Sequence, residues 1–487
     1  MKTAKFLVFL ILALPLAAFS QDSADRLITE ALKPSSLATN LQHLTDQIGG
    51  RVPGTPAMQK AVEWGVDAFQ SAGADRVYTE DFTIPASWAE GSTQMTVTSP
   101  ETFSLRVVSL AWAPALAQQR HVRVVDLGDA SEADFAKAGD FRGDILLVHS
   151  SEMVTWDDLF AEYLRAPGII DRAVKGKALA IAFQSTRPHD LLYRHTNAVD
   201  GNIDRLPMVL VAREDAARMA RLIAAGQQLY ADLAIPNRIG GPITTSNVIA
   251  ELKGSEKPDE FVVLGAHLDS WELGTGALDN GCNAALVVDA LRAIKASGLR
   301  PKRSIRFILF SGEEEGLLGS HAYVRAHRNE LDKAAGVVIL DEGTGQVTGF
   351  SVGGRKDIVP AITNIVAPLK KFGATTLTTD AEWGTDHFDF MLEGVPTLFA
   401  NQTEGNYLIN YHAMSDTYDK VDFPQLKKHV AEAATVAFGI ADSSDRVGPR
   451  LNRQQIEQTM RETHLDDLMK TFGLWQSWQD GSLGRTE

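Results

Sequence analysis

The fold is decided by residues 261–316, FVVLGAHLDSWELGTGALDNGCNAALVVDALRAIKASGLRPKRSIRFILFSGEEEG. Two short apolar runs, residues 261–265 and 305–310, are rich in β-branched and aromatic residues, which predicts two buried strands. Between them, apolar residues recur at helical spacing from Ala284 to Ile294, and Gly298 follows where a helix would stop. A strand, a helix and a strand in this order predict that the two strands are parallel neighbours in one sheet.

Each predicted strand leads directly into polar residues at its carboxyl end. Two later apolar runs, residues 337–340 and 395–399, repeat the pattern. Open α/β sheets bind ligands at the carboxyl ends of their strands, so these polar side chains are expected to converge. In chain order they are His267, Asp269, Glu313, Glu314, Glu315, Asp341, Glu342 and His412.

Histidines and carboxylates at successive strand ends are the ligands that a divalent metal ion needs. Asp279 adds another carboxylate in the glycine-rich loop GTGALDNG, between the first strand and the helix. Five such groups are too many for one tetrahedral ion with an open position, but they suit two ions that share one carboxylate and hold a water. Asp279 is the expected bridge. The five candidate ligands are His267, Asp279, Glu314, Asp341 and His412.

The motifs resemble those of the M28 zinc exopeptidases, most of all the carboxypeptidase Q branch of that family. The resemblance covers about residues 30–440 and rests on GAHLDSW, GTGALDNG, SGEEEGLLGS, ILDEGTG, GTDHFDFMLEGVP and YHAMSDT, in this order and spacing. It implies an α/β fold of three layers, of the zinc-exopeptidase (phosphorylase/hydrolase-like) type, with a mostly parallel mixed sheet.

The resemblance also implies a role for each residue. It implies two Zn²⁺ ions per chain, one held by His267, Asp279 and Asp341 and the other by Asp279, Glu314 and His412. Glu313 falls on the family's general base, and Asp269 falls on the acid that orients His267. Glu315 is expected to point away from the metals. Asp386 and His387 are interpreted as supporting or substrate-side groups, with a purely structural role equally open.

This chemistry predicts a dizinc exopeptidase that hydrolyses dipeptides or short peptides, with Glu313 taking the proton of a metal-activated water. The choice between amino-end, carboxyl-end and dipeptide cleavage stays open, as does an aminopeptidase on longer peptides. Two rivals remain: glutaminyl cyclisation with one zinc ion, and a receptor-like module, against which the complete ligand set argues. Acids stand in SGEEEG where a serine nucleophile would stand. The oxyanion partner also stays open, because residues 382–384 replace a tyrosine that some relatives carry.

Bulk properties bound the remaining possibilities. A length of 487 residues predicts two or three domains, and 44% apolar with 22% charged residues is typical of a globular protein. The formal net charge of −15 argues against a nucleic-acid partner or an anionic membrane surface. The single cysteine, Cys282, cannot form an intramolecular disulfide and is interpreted as a small buried residue.

The first 20 residues have the pattern of a secretory signal peptide. Lys2 and Lys5 precede an apolar run, residues 6–19, that is too short to span a bilayer. This predicts a secreted or periplasmic protein without a membrane contact after cleavage. The expected partner is a small peptide substrate, and a homodimer is left open.

Residues 115–240 differ in texture from the rest of the chain. They contain short apolar strands, with only short helical stretches expected between them, and no metal-ligand pattern in spite of four histidines, His121, His149, His189 and His195. The segment resembles the protease-associated (PA-like) domain of the carboxypeptidase Q branch, and it is expected to form a β-rich insertion over the cleft.

The predicted division therefore has four parts. It comprises a signal peptide (1–20), a discontinuous catalytic domain (21–114 and 241–445), the inserted domain (115–240) and a helical tail (446–487). In the tail, Trp475 and Trp478 are expected to dock on the same chain. Near the start of the chain, Arg51 is expected to lie in an exposed loop.

Overall fold

A computed structural model describes residues 21–487, and the predicted signal peptide lies outside the described residues. In chain order the strands are β1 (Arg76–Ile84), β2 (Ser87–Ala89), β3 (Gln94–Ser99), β4 (Phe103–Leu105), β5 (Val107–Ser109), β6 (Leu116–Asp126), β7 (Ile145–Val148), β8 (Ala180–Gln184), β9 (Met208–Val211), β10 (Leu229–Ile235), β11 (Arg238–Gly240), β12 (Ile243–Leu252), β13 (Lys257–His267), β14 (Arg303–Phe310), β15 (Ala334–Ile339), β16 (Val347–Ser351), β17 (Thr376–Thr378) and β18 (Thr397–Gln402).

The helices are α1 (Gln21–Ala31), α2 (Leu37–Gln42), α3 (Pro56–Ser71), α4 (Glu132–Ala138), α5 (Trp156–Lys175), α6 (Arg213–Ala224), α7 (Cys282–Ser297), α8 (Leu318–Ala326), α9 (Val359–Val366), α10 (His387–Leu392), α11 (Tyr407–Asn410), α12 (Phe423–Asp442), α13 (Arg453–Glu462), α14 (Leu465–Thr471) and α15 (Leu474–Gln479). Short 3₁₀ or π turns occupy His43–Ile48, Ala277–Gly281, Arg328–Lys333, Lys356–Ile358, Ala367–Phe372 and Tyr418–Lys420.

The strand, helix and strand predicted around the decisive stretch are β13, α7 and β14. The two strands pair in parallel, with Leu264 beside Phe307, which confirms the prediction. Both faces of β13 are buried, because Val262 and Leu264 face one core cluster while Phe261 and Val263 face another. Continuous apolar runs are typical of such doubly covered parallel strands.

The first sheet has eight strands in the order β1-β12-β14-β13-β15-β18-β16-β17. Its four central strands, β14, β13, β15 and β18, run parallel, and β1, β12 and β16 join them through antiparallel pairs. Helices α1, α3, α7 and α12 cover one face, and α8 and α10 cover the other. This is a mixed α/β fold in which helices lie on both sides of a large mixed sheet.

Local sequence features explain where the helices of this part begin and end. Thr55 precedes α3 and accepts a hydrogen bond from the backbone N–H of Met58 at 3.2 Å, and Pro56 occupies the first helical position. Gly298 ends α7 in the left-handed conformation, with a φ of 69°. Cys282 opens α7 in a fully buried position, as interpreted from the sequence.

A second eight-stranded sheet has the order β4-β3-β10-β6-β7-β8-β9-β5. Helix α5 covers one face through Ala166, Ile169 and Ile170, and α6 covers the other through Ala216 and Met219. The 20-residue length of α5 differs from the short helical stretches expected here. Pro167 lies inside α5. Because a proline normally predicts a helix break, the sequence pattern did not indicate one long helix here.

The second sheet begins upstream of the boundary predicted from the sequence. Strands β3, β4 and β5, residues 94–109, belong to it, although they precede residue 115. These strands are short, and β3 alternates exposed and buried residues. The local sequence pattern therefore does not indicate that they belong to the second sheet. Strands β2 and β11 pair as an antiparallel ribbon close to the points where the chain enters and leaves this sheet.

The residues after α12 fold back onto the catalytic part of the chain. Helices α13, α14 and α15 pack against α10 through one apolar cluster, in which Trp478 is fully buried beside Phe388 and Leu392. Docking of the tail tryptophans on the same chain is therefore confirmed for Trp478. Between residues 21 and 487, no helix has the length and apolar character needed to cross a membrane.

Candidate metal centre and active site

The carboxyl ends of the parallel strands bring the predicted polar residues together. His267 is the last residue of β13, Glu313 and Glu314 follow β14, and Asp341 lies just beyond β15. His412 arrives after β18 and the short helix α11. The convergence predicted from the sequence is thus present at one edge of the sheet.

Asp279 lies between two histidines. Its Oδ1 atom is 3.2 Å from Nε2 of His267, and its Oδ2 atom is 3.2 Å from Nε2 of His412. Asp416 fixes the Asp279 backbone, since its carboxylate accepts hydrogen bonds from the N–H groups of Leu278 at 2.7 Å and Asp279 at 3.1 Å. One carboxylate therefore faces two imidazoles, and another holds it there.

Each histidine has a second carboxylate beside it. Nε2 of His267 is 2.9 Å from Oδ1 of Asp341, and Nε2 of His412 is 2.8 Å from Oε2 of Glu314. In two groups, one potential ligand atom from each residue lies within 4.8 Å of those of the others: His267 with Glu313 and Asp341, and His267 with Asp279 and Glu314. The five candidate ligands and Glu313 thus form one continuous cluster.

The pKa values of the two histidines reflect these neighbours. Burial opposes protonation of His412, but Glu314 and Asp279 outweigh it and raise its pKa to about 9. Burial likewise opposes protonation of His267, and Asp341, Asp269 and Asp279 raise its pKa well above the ordinary value. Such a density of buried negative charge requires cations for compensation.

The donor set fits divalent metal ions. Oδ2 of Asp279, Oε1 of Glu314 and Oδ1 of Asp341 are buried and have no hydrogen-bond partner among the described residues. The imidazole nitrogens and carboxylate oxygens of this cluster lie about 3 Å apart. Such a separation suits ligands of a common ion, because tetrahedral bonds of about 2.0–2.2 Å place neighbouring ligand atoms at about this distance. Nitrogen and oxygen donors in this combination suit zinc.

The three consecutive glutamates have different surroundings. Glu313 and Glu314 line the cavity described below, and Oε2 of Glu313 is 3.9 Å from Nε2 of His267. Burial raises the pKa of Glu313 well above the ordinary value, and Asp341 and Glu314 raise it further against the lowering by His267. Glu315 is buried, with neither carboxylate oxygen hydrogen bonded, and it does not line the cavity.

Asp269 contacts both halves of the cluster from behind. Its backbone carbonyl is 3.1 Å from Nδ1 of His267, while its carboxylate Oδ1 atom is farther from that nitrogen, at 3.6 Å. Its Oδ2 atom accepts a hydrogen bond from the backbone N–H of Glu314 at 3.2 Å. The hydrogen bond that orients His267 is therefore accepted by the backbone carbonyl of Asp269, and the Oδ1 atom of Asp269 has no hydrogen-bond partner among the described residues.

Arg51 is fully buried, and the expectation of an exposed loop residue is wrong. Its guanidinium donates to four backbone carbonyls, those of Leu268 (2.6 Å), Gly49 (3.1 Å), Thr275 (2.8 Å) and Gly276 (2.8 Å). Arg51 thereby fixes the loop that leads to Asp279. Local sequence could not indicate this, because three of the four partners lie more than 200 residues away.

Asp386 and His387 are also fully enclosed. The ring of His387 stacks on Phe399 with centroids 5.5 Å apart, and burial lowers its pKa to about 4. Neither residue lines the cavity, so they support its wall and do not contact a substrate there.

One segment carries a serine-hydrolase pattern without its geometry. Residues 349–353, GFSVG, fit G-x-S-x-G, but Ser351 is the last residue of β16 and its hydroxyl donates to the carbonyl of Asp380 at 2.8 Å. Among the described residues, no histidine forms a hydrogen bond with that hydroxyl. The segment is a strand of the sheet.

A cavity of about 400 Å³ opens over the metal cluster. Three parts of the chain build its walls: the catalytic strand ends, helix α5 of the second sheet, and α14 with the turn that follows it. The apolar lining residues from the second sheet's segment and the tail are Trp156, Leu159, Phe160, Leu164, Val199, Leu468 and Phe472.

The polar lining of this cavity is acidic. Beyond the candidate ligands and Glu313, it contains Glu342 and Glu382, and no lysine or arginine is among its lining residues within the described chain. Burial raises the pKa of Glu342 well above the ordinary value, and Glu382 adds to that rise. The cavity is thus built for a positively charged or metal-bound group.

Two tyrosines without a functional pattern of their own also line the cavity. Tyr163 from α5 and Tyr411 have their hydroxyl oxygens 2.8 Å apart, and the Tyr411 ring stacks on His412 with centroids 3.7 Å apart. Tyr163 lies on the helix that Pro167 concealed, and a tyrosine at helical spacing carries no functional pattern by itself.

The four histidines of the second sheet's segment lie away from the metal cluster. His149 is 2.8 Å from Asp126, His121 stacks on Tyr230, and His195 is 3.4 Å from Glu162. Neither they nor His189 belong to a group of potential metal ligands within residues 21–487.

Comparisons with known proteins agree with this site. Residues 247–437, which contain all five candidate ligands, match the model of peptidase family M28. Mouse carboxypeptidase Q is 28% identical over 415 residues, which cover 84% of this chain and 86% of that protein. A crystal structure of a peptidase M28 precursor from Shewanella amazonensis SB2B is 27% identical with a TM-score of 0.80, covering 88% of this chain and 98% of that chain.

A second structure extends the likeness of fold alone. A zinc aminopeptidase from Bacillus subtilis is 21% identical with a TM-score of 0.65, covering 85% of this chain and 97% of that chain. Taken together, the mixed α/β fold, the histidine and carboxylate cluster and these matches define a metallopeptidase. The chain is similar to the members of peptidase family M28.

Proposed function

We propose that this metallopeptidase is a dizinc exopeptidase that cleaves short peptides with a free amino end. The observation that carries the proposal is the position of Asp279, whose two carboxylate oxygens each lie 3.2 Å from a different histidine. A carboxylate in that position is suited to bridge two ions. His267 and Asp341 would complete one ion's ligands, and Glu314 with His412 would complete the other's.

Two bound zinc ions would polarise the peptide carbonyl and lower the pKa of a water held between them. Glu313 is the residue of this chain that accepts the proton of that water and passes it to the leaving amine. Its support is its place on the cavity wall and a pKa raised by burial, which suits a group that takes up and returns a proton. Asp269 and Asp416 hold the ligands in position from outside the cavity.

The charge of the cavity favours recognition of an amino end. A carboxypeptidase needs a cation for the terminal carboxylate of its substrate, and no lysine or arginine lines the cavity within the described chain. Glu342 and Glu382 instead suit a substrate ammonium group. The volume of about 400 Å³ is that of a small-ligand site, which favours dipeptides and other short peptides.

The second sheet and its helices, residues 94–235, would form a PA-like domain that covers the cleft, with the tail after residue 446 closing another side. Its support is that α5 supplies part of the cavity wall. Secretion or export to the periplasm is proposed from the signal-peptide pattern of residues 1–20.

Metal analysis and a panel of dipeptides test this proposal. The purified protein should hold close to two zinc equivalents per chain, and it should cleave free dipeptides and dipeptide amides but spare N-acetyl dipeptides. Glu382→Gln should raise KM for free dipeptides with unchanged zinc content, and Glu457→Gln on the tail serves as the control. Full turnover in metal-free protein would overturn the proposal, and formation of pyroglutamate from amino-terminal glutamine would replace it with cyclisation.

A further inference from the structure

The two metal-site histidines are held in different ways. Nδ1 of His267, the ring nitrogen that faces away from Asp279 and Asp341, lies 3.1 Å from the carbonyl oxygen of Asp269. Nδ1 of His412 is buried and has no hydrogen-bond partner among the described residues. A ligating histidine is normally oriented through this second nitrogen. His412 must therefore be positioned by its backbone and by the rings around it.

The backbone of His412 is unusual for a residue with a side chain. Its φ is 59°, in the left-handed region that favours glycine, so neighbouring contacts must stabilise this conformation. The His412 ring stacks on Tyr411 at 3.7 Å and meets the edge of Trp271 at 6.0 Å. The orientation of the His412 imidazole thus depends on where the loop and the Tyr411 ring are held.

Several of the contacts that hold this loop come from the segment between residues 94 and 235. Arg194 N–H donates to the carbonyl of His412 at 3.0 Å, and Met414 N–H donates to the carbonyl of Leu192 at 3.0 Å. Tyr193 and Ala413 pair between these bonds as an antiparallel bridge. A short two-stranded contact therefore joins the inserted unit to the loop on both sides of His412.

Two side chains of the inserted unit add to this contact. Nη2 of Arg187 donates to the carbonyl of Tyr411 at 2.8 Å, and the hydroxyl of Tyr163 forms a 2.8 Å hydrogen bond with the hydroxyl of Tyr411. Arg187 is fully buried, and its guanidinium lies 4.2 Å from the centre of the Tyr193 ring. A buried, rigid cation of this kind is suited to fix a carbonyl in place.

We infer that the inserted unit, although it supplies no metal ligand, positions His412 through Arg187 and Tyr163. The affinity of the metal ion at His412 then depends on the docking of this unit, while the ion at His267 does not. Arg187 and Tyr163 are positioning residues, and the inference rests on the proposed two-ion site.

Zinc affinities measured by competition with a chelator test this inference. For Arg187→Met and Tyr163→Phe, we expect one of two zinc equivalents to bind about 10-fold more weakly or worse, which is typical for the loss of an outer contact to a metal ligand, while the other keeps its affinity. Arg165→Met is the matched control, because Arg165 donates to the carbonyls of Asp129 and His149 within the same unit. Tyr230→Phe is the corresponding control for the tyrosine.

A double-mutant comparison separates positioning of His412 from a general effect. His412→Ala should abolish the affected equivalent, and adding Arg187→Met or Tyr163→Phe to it should leave the remaining ion's affinity unchanged. Metal-free Arg187→Met protein should also exchange the Met414 amide hydrogen faster than the metal-free wild type.

Each outcome decides a different question. A wild-type protein that binds no divalent ion would remove the proposed function together with the inference. Two ions in the wild type, with unchanged affinities in both variants, would overturn the inference alone. A further loss of affinity for the remaining ion in the His412→Ala background would also overturn it, and Tyr163→Phe supplies the answer if Arg187→Met does not fold.

Discussion

Phe472 directly follows helix α14. Its ring stacks on Trp383 with centroids 4.2 Å apart and an interplanar angle of 27°. Both residues line the cavity over the candidate metal cluster. The carboxy-terminal tail therefore contributes a wall of the active site, in addition to its packing on α10. This makes the tail a determinant of substrate fit.

Phe472→Ala should alter substrate binding more than the chemical step. Removing the ring opens one apolar wall, so KM should rise several-fold for dipeptides with large apolar side chains, while kcat and zinc content stay near wild type. The lost aromatic pair should cost about 1 kcal/mol of stability. Kinetics with a small and a large dipeptide check this, and Phe472→Leu serves as the control. An equal loss of kcat for both substrates would contradict it.

The three consecutive glutamates should respond differently to replacement by glutamine. Glu313→Gln should keep both zinc ions while kcat falls by at least ~10², because the basic oxygen is lost. Glu314→Gln should weaken the ion near His412, from which Oε2 of Glu314 is only 2.8 Å. Glu315→Gln should be nearly silent in both measurements, since this side chain lies outside the cavity and makes no hydrogen bond among the described residues.

Zinc content and kcat for the three variants decide the assignment. Glu315 is expected to point away from the metals, and its side chain is buried and does not line the cavity. An inactive, metal-replete Glu315→Gln protein would show that Glu315 and not Glu313 handles the proton.

His327 gives the fold a pH-dependent contribution to stability. His327 lies just past the carboxyl end of α8. Its Nε2 atom is 2.9 Å from Glu80, and its Nδ1 atom contacts Glu330. Burial opposes protonation, but these two carboxylates outweigh it and raise the pKa of His327 above 6.5. Burial raises the pKa of Glu330, but Arg306 and His327 outweigh it and keep that pKa below 4.5, so Glu330 is ionised at pH 5.5.

The sign follows from the raised pKa. A group with a higher pKa in the folded state stabilises the fold fully below its unfolded pKa, about 6.5, and this stabilisation is lost as the pH rises through the folded pKa. His327→Gln should therefore lower Tm most at pH 5.5–6, and the difference from wild type should shrink by pH 9. Thermal melts across that range check it, and a difference that stays constant with pH would contradict it.

The sequence predicts the catalytic sheet well because its information is local. The apolar runs of β13 and β14, with a helical pattern between them, dictate parallel neighbours, and the polar residues follow each strand directly. For that reason, Asp279 and the candidate ligands at the strand ends could be identified from the sequence. The family resemblance added their assignment to individual ions.

The parts that escaped prediction depend on distant contacts. Tyr163 reaches the site only because α5 continues through Pro167 and the inserted unit docks on the loop of His412. Phe472 lines the cavity only because the tail folds back over it. Neither residue has a sequence neighbour that marks its role.

Arg51 is the sharpest case of such a distant contact, and its replacement should be costly. Arg51→Met would leave four carbonyls of the loops at residues 49 and 268–276 without their buried donor. Each unsatisfied buried group costs about 1–3 kcal/mol of stability. The free energy of unfolding should fall by about 3 kcal/mol or more, and zinc affinity should fall as well, because the loop leading to Asp279 loosens. Urea unfolding and chelator competition measure the two effects, with Arg76→Met, at an exposed ion pair with Glu251, as the control. An Arg51→Met protein that unfolds like the wild type and keeps both zinc affinities would show that the loop holds its shape without this clamp.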